Sequence, residues 1–159
     1  MGGYIVGDKK ERWDWLPSVA NVASGPTLAE IAAGLRISTN LLEATGFAPD
    51  TAGIPTDGIE DDFDTSVPGR RSFNNMRMRF KKQPGTDTVA NTLIPDATGV
   101  LMRRRSINVD TAHASGQKVE LYPATVGEPS VVDFEKNAVE RYDVPFFPNA
   151  RPNLRATVA

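Results

Sequence analysis

Hydrophobic and polar positions change period several times along the chain, and each change marks an element. "SFNNMRMRFKK" (72–82) is the clearest strand. Met76, Met78 and Phe80 alternate with Arg77, Arg79 and Lys81, the two-residue period of a strand with one buried face, and Pro84-Gly85 ends it. "LRISTNL" (35–41) alternates likewise, with Leu35, Ile37 and Leu41 on one side and Arg36, Ser38 and Asn40 on the other. "QKVELYP" (117–123) sets Val119 and Leu121 inward, and Lys118, Glu120 and Tyr122 outward. "GVLMRRRSINV" (99–109) is a strand whose alternation breaks across Arg103–Arg105, which predicts a β-bulge. "SVVDFEKNAVERYDVPFFP" (130–148) puts Val132, Phe134, Ala138, Tyr142 and Val144 on one face, interrupted by Lys136 and Glu140. It is one long strand, or two joined at a bend.

Two short helices punctuate these strands. In "TLAEIAAG" (27–34), Thr27 and Glu30 have the spacing of a capping box. Gly34 stands where a left-handed C-cap belongs, and Leu28, Ile31 and Ala32 form the apolar face. At about two turns this helix must pack on something to persist. "TDTVANTLI" (86–94) starts at a Thr86 or Asp87 cap, stacks Val89 on Leu93, and is closed by Pro95.

Three stretches carry no sustained period. Residues 1–26 read as an N-terminal arm. Its Trp13 and Trp15 flank Asp14 and point the same way if extended, pinning the arm to the body or to a neighbour. Residues 149–159 read as an exposed C-terminal arm. Thr45–Pro68 contains Gly46, Pro49, Gly53, Pro55, Gly58 and Pro68, an overlong loop of the kind that is functional or disordered. The body, 27–148, is then one mainly β domain: a β-sandwich or barrel of five or more antiparallel strands with two short flanking α-helices.

Composition narrows the function more than the fold. The 159 residues suffice for one domain with a core, and the net charge of −2 lacks the basic bias of a nucleic-acid-binding domain. The absence of cysteine excludes a disulfide framework, a thiolate zinc site and a thiol nucleophile. No apolar run approaches the ~20 residues of a membrane-spanning helix. The N-terminus lacks the basic-then-apolar order of a signal peptide, and Val6 stands where a myristoylation signal wants Ser or Thr. The expectation is a soluble intracellular protein.

The loop's end, "DGIEDDFDTSVPGRR" (57–71), gathers Asp57, Glu60, Asp61, Asp62 and Asp64 before Arg70 and Arg71. Glu60, Asp62 and Asp64 match the first ligand spacings of an EF-hand, but Thr65 replaces the required Gly and Arg71 the bidentate Glu. Carboxylates side by side on one loop do not form the opposed pair of a glycosidase. His113, the single histidine, lies in a loop without a nucleophile elbow, and reads as a surface residue. No phosphate-cradling glycine motif is present. The chain does not read as an enzyme, and no cofactor or metal is expected. Arg77, Arg79 and Lys81 with Arg103–Arg105 form a basic face, yet no aromatics interleave to stack bases. An acidic patch and a basic patch on one chain are what head-to-tail self-assembly requires.

The order of parts carries a resemblance. A short capped helix leads into "GLRISTNLLEATGFAPDTAGIPTDG", then "TSVPGRRSFNNMRMRFKK", a short helix, "GVLMRR", and "GQKVELYP". From about Thr27 to Val144 this resembles the tail tube (major tail) proteins of long-tailed bacteriophages, especially those with non-contractile tails. The resemblance implies a tail tube-like fold, hexameric rings that stack into a tube, and a lumen holding the tape measure protein and later passing DNA. It implies further partners in tail tip and tail terminator proteins, location in the virion tail after assembly in the host cytoplasm, and no membrane. The loop at 45–68 would reach the next ring or an adjacent subunit, as would the terminal arms. The candidate contact residues are Asp57, Glu60, Asp61, Asp62, Asp64, Arg70, Arg71, Arg77, Arg79, Trp13 and Trp15. The alternatives are a single-ring tail completion or head–tail connector protein, or a soluble β-barrel binding module.

Overall fold

A computed structural model describes residues 3–159. Their elements run β1 (Glu11–Leu16), α1 (Leu28–Ala32), β2 (Leu35–Arg36), β3 (Leu41–Thr45), β4 (Asp50–Pro55), β5 (Ser66–Ser72), β6 (Arg77–Lys81), α2 (Thr88–Thr92), β7 (Thr98–Arg105), β8 (Lys118–Val126), β9 (Ser130–Val131), β10 (Arg141–Pro148) and β11 (Asn153–Thr157). Nine strands form one antiparallel sheet in the order β2-β1-β7-β8-β10-β6-β3, with β11 added beside β8 and β9 beside β10. Strand β10 makes the sheet curl. Its end, Phe146–Pro148, pairs with Val126–Ala124 of β8, and its beginning, Arg141–Pro145, pairs with Lys81–Arg77 of β6. The result is a half-barrel, mainly β with two short helices.

Alternation along each strand fills the inside of the curl. Trp13, Trp15, Leu101, Tyr122, Val126, Met78, Phe80, Val144 and Phe146 meet there with Ile37, Phe47, Val89 of α2 and its C-cap Leu93. The opposite faces of β1, β7 and β8 are covered as well. Leu16, Val100, Met102, Val119 and Leu121 pack against Ile31 of α1 and against Ala156 and Val158 of the C-terminal segment. Because this part of the sheet is buried on both sides, a polar-looking alternation is misleading there. Val119, Leu121 and Tyr122 of β8 are all buried, and Tyr122 is not an outward residue.

Several expectations are corrected. The N-terminal segment is not a loose arm, since β1 lies inside the sheet, bonded to both β2 and β7. The C-terminal segment is not a free arm: β11 pairs with β8, Ala156 and Val158 are buried, and the Ala159 N–H donates to Pro26 O. Strand β7 carries no bulge, because its residues stay in unbroken register with β1 through Arg105. The 35–41 strand is cut by a turn at Ser38–Asn40 into β2 and β3. The 130–148 region is two strands separated by a loop, and Phe134 in that loop is exposed rather than inward.

Helix α1 keeps its capping box. The Glu30 N–H donates to Thr27 Oγ1 at 3.2 Å and the Thr27 N–H to Glu30 Oε2 at 2.8 Å. Gly34, which follows the C-cap Ala33, is not a left-handed cap, because its φ is not positive. Glycine is needed at position 34 for closeness: a Cβ there would stand 2.5 Å from Leu16 Cδ2 and 2.9 Å from Trp15 O. At Gly46 the backbone itself demands glycine, with φ +78° and Asn75 O 2.3 Å from any Cβ.

Deleting residues 153–159 strips the edge of β8 and uncovers Val119 and Leu121. The loss of this burial and of the ladder bonds is expected to cost about 3–5 kcal/mol. Urea unfolding of the truncated chain checks this, and an unchanged midpoint would restore the exposed-arm description.

Candidate assembly surfaces

Strands β4 and β5 pair only with each other, from Asp50↔Ser72 to Pro55↔Ser66, and form a separate two-stranded ribbon. The 45–68 stretch is therefore a β-ribbon rather than an irregular loop. Apart from the partly covered Gly69, its strands are exposed on both faces. The tip closes through Thr56 N–H to Thr65 O at 2.9 Å, and the Gly58 N–H donates to Asp61 Oδ2 at 2.6 Å. Asp57, Glu60, Asp61, Asp62 and Asp64 are exposed on that tip, and Arg70 and Arg71 are exposed on β5. The ion pairs formed among the described residues all lie on the body of the fold, and none involves these seven residues. Among the described residues no three His, Asp or Glu side chains converge as a metal site would need.

The tip also carries Ile59, which is fully exposed, and Phe63, which is 76% exposed. Two-stranded ribbons are marginal in water, and large apolar side chains held out from a body mark a contact with something else. The sequence signal for these two residues was available. They are apolar, have no period and sit among carboxylates, so they cannot belong to an internal face.

The basic strand faces behave differently. On the outer face of β6, Arg79 donates to Asp143 of β10 through Nε at 2.7 Å and Nη2 at 3.1 Å, while Arg77 stands 3.8 Å from the same carboxylate. Glu43 of β3 pairs across from Arg79 on its other side. The hydrogen bonds from Arg79 hold the Asp143 pKa below its ordinary value, against the opposing effect of burial. Thus Arg79 is neutralised inside its own subunit, while Arg77, half exposed, only approaches the same carboxylate.

The three consecutive arginines of β7 part company. Arg103 turns into the half-barrel, where it donates to Glu120 Oε2 at 2.5 Å and to the Tyr122 hydroxyl at 2.9 Å, with its guanidinium 5.0 Å from the Trp13 ring centroid. Burial is the main cause that raises the Tyr122 pKa. Arg104 turns the other way and is fully buried. It donates to the carbonyls of Asn108 and Thr111 at 3.0 and 2.8 Å and to Gln117 Oε1 at 3.2 Å, tying down the β7–β8 connection. Arg105 is exposed. No continuous basic platform results. His113 belongs to this network rather than to the surface: its Nδ1 is 3.3 Å from Arg104 and its Nε2 3.4 Å from Asp14 Oδ2. The second contact lacks hydrogen-bond alignment. Trp13 and Trp15 are buried in the chain's own core, which removes them from any contact surface with a neighbour.

The family model described as phage tail tube protein matches residues 4–159. The chain belongs to that family. No curated protein matches it in sequence. Solved structures similar to this tail tube family member include the sheath/tube terminator of an extracellular contractile injection system, PVC, in its extended state. That chain has a TM-score of 0.66 at 10% identity, with 96% of this chain and 98% of that one covered. A chain of the anti-feeding prophage (AFP) baseplate has a TM-score of 0.64 at 7% identity, covering 96% and 97%. At these identities the likeness is one of fold. The family and these neighbours are structural tail proteins rather than enzymes.

Within the tail tube chain, Asp143 is the acid most exposed to test. Its folded pKa lies below the unfolded value of about 3.9, so its stabilisation is present above that pH and is lost as pH falls through the folded pKa. Asp143→Asn should lower the urea midpoint at pH 7 and bring wild type and variant together under strongly acidic conditions. A gap that does not change with pH would show that the carboxylate's charge contributes nothing.

Proposed function

We propose that this protein is the tube-forming subunit of a phage tail. Copies close into hexameric rings, rings stack, and the bore conducts DNA into the host cell. The observation that carries the reading is the exposed β4–β5 ribbon, which pairs with no other strand among the described residues and has unpaired carboxylates and bare apolar groups at its tip. The 45–68 stretch is thus assigned to contacts with the next ring or an adjacent subunit. Asp57, Glu60, Asp61, Asp62 and Asp64 act there, with Arg70 and Arg71 on the ribbon's shaft. A fold relative taken from a 6-fold symmetrised baseplate agrees with sixfold rings.

A conduit must not trap a polyanion, because every phosphate neutralised by a fixed cation adds affinity. On the outer face of β3, β6 and β10, Arg77, Arg79, Lys81 and Arg141 outnumber Asp143 and Glu43, so on that ground this face suits a subunit contact rather than the lumen. The tape measure protein occupies this bore before DNA does, and tail tip and terminator proteins bound the two ends of the tube. The particle is the virion tail, assembled in the host cytoplasm. The sequence resemblance points to a non-contractile tail, whereas the PVC terminator that shares the fold comes from a contractile system. Co-purification of a sheath protein with the assembled tube decides between the two.

The second reading is a ring that does not polymerise, a terminator or completion protein, and it is favoured by the sheath/tube terminator's sharing of this fold over nearly its whole length. Negative-stain microscopy of purified protein separates these: tubes with a regular repeat, lone rings, or, for a free binding module, monomers. Replacing residues 57–64 by a Gly-Ser linker of equal length should leave the melting temperature unchanged and abolish tubes. Tubes of normal length from that variant would overturn the ribbon's role. Reversing Asp61 and Asp62 to lysine should weaken assembly most at low salt, where surface charge is least screened. Normal polymerisation at every salt concentration excludes charge pairing by the tip.

A further inference from the structure

Asp57-Gly58 is the one place in the chain where an aspartate precedes glycine, and no asparagine precedes glycine anywhere. That pairing carries chemistry of its own. A main-chain nitrogen can attack the side-chain carboxyl of the residue before it and close a five-membered succinimide. A side chain on the attacking residue crowds this approach, and glycine has none. Every other aspartate is followed by a residue that carries a Cβ.

The fold leaves the pair open. Asp57 and Gly58 are both exposed near the ribbon tip. A Cβ built on Gly58 would meet nothing closer than the Asp61 carboxylate, 3.5 Å away. One contact bears directly on the attacking atom. The Gly58 N–H donates to Asp61 Oδ2 at 2.6 Å, and the Asp61 N–H donates back to Gly58 O at 3.1 Å, so residues 58–61 form a closed turn. Ring closure needs the Gly58 nitrogen to swing onto Asp57 Cγ and to give up its proton. While Asp61 accepts that N–H, the nitrogen is pinned in the turn. The carboxylate also sets a negative charge beside atoms that gain electron density during the attack. Both effects slow the reaction.

We propose that Asp57-Gly58 is the site at which this chain isomerises to isoaspartate through a succinimide, and that Asp61, by holding the Gly58 N–H, restrains the reaction in the folded ribbon. Gly58 N bonds to Asp57 Cγ, the Gly58 proton and the carboxyl's hydroxyl leave as one water, and no electron is transferred. Water then reopens the imide. Cleavage of the bond from nitrogen to Cγ restores aspartate. Cleavage of the bond from nitrogen to the main-chain carbonyl leaves Gly58 joined through Cγ. That isoaspartyl link adds one methylene to the main chain and moves the carboxylate onto Cα. A subunit altered in this way carries a longer main chain at the ribbon tip, whether or not that tip stacks rings.

The full chain, kept in warm neutral buffer, is followed by peptide mapping with fragmentation that tells isoaspartate from aspartate. Isoaspartate should accumulate at position 57 ahead of every other aspartate. Gly58→Val should suppress it, and since φ at 58 is not positive and the space is open, valine fits without strain. Asp61→Ala should speed accumulation roughly threefold, the factor set by a hydrogen bond of modest net worth that must otherwise break first. Both changes lie on the exposed tip, so melting temperatures should match wild type. In denaturing urea, where the turn is lost, wild type and Asp61→Ala should converge. A position 57 that stays aspartate, or that changes no faster than the other aspartates, overturns the site. A folded Asp61→Ala protein that reacts no faster than wild type, or an acceleration that persists in urea, overturns the role given to Asp61.

Discussion

The Trp13 side chain stands where the pieces of this fold are tied together. Its ring lies 4.8 Å from Phe47 and 6.0 Å from Tyr122, centroid to centroid, and the Arg103 guanidinium covers it. Tyr122 in turn meets Phe47 and Phe73 edge-on, at 5.3 and 5.8 Å. Phe47 precedes the β4–β5 ribbon and Phe73 follows it, so both of its feet are fastened to one aromatic cluster. The arrangement explains how a ribbon without packing of its own keeps a direction. Its base shares the stability of the core while its tip stays bare. Packed aromatics of this kind add to the area they bury because their edges and faces are oriented.

Charge is distributed on the same plan. On the body, three arginines are matched within one subunit: Arg12 to Asp14, Arg79 to Asp143, Arg103 to Glu120. On the ribbon the carboxylates are left open. A small net charge thus conceals a strong local asymmetry, and only the unpaired part is available for recognition. Burying the paired groups is tolerable because each has several hydrogen bonds, as with Arg104, which closes the 106–117 connection.

Much of the fold was legible in the sequence because its signals are local. The alternation of Met76, Met78 and Phe80, the Thr27/Glu30 box, the Asp87 cap and the Val89–Leu93 stack all appear where periodicity and capping place them. Misreadings cluster where a strand is buried on both sides or paired far away in sequence. β1 has no clean period because each of its faces meets a different layer, β11 is short and keeps one face exposed, and pairing with β7 and β8 over long separations decides their state. Arg103–Arg105 suggested a bulge because an arginine on a buried face breaks a hydrophobic pattern. In the structure Arg103 is accommodated by Glu120, Tyr122 and the Trp13 ring, and Arg104 by backbone carbonyls.

The acidic tip was recognisable as an exposed patch from composition alone, and its failure as an EF-hand follows from Thr65 and Arg71. The residues 57–64 therefore carried their own exposure and charge in the sequence, as did the mainly β class and the two short helices. Tertiary structure decided which charges remained free, because neutralisation depends on partners such as Asp143 that lie 64 positions away from Arg79. It decided that Trp13 and Trp15 serve the core and that the long polar stretch is a ribbon with a bare tip. Local periodicity reports which side of a residue is apolar. Only the closed sheet determines what that side meets.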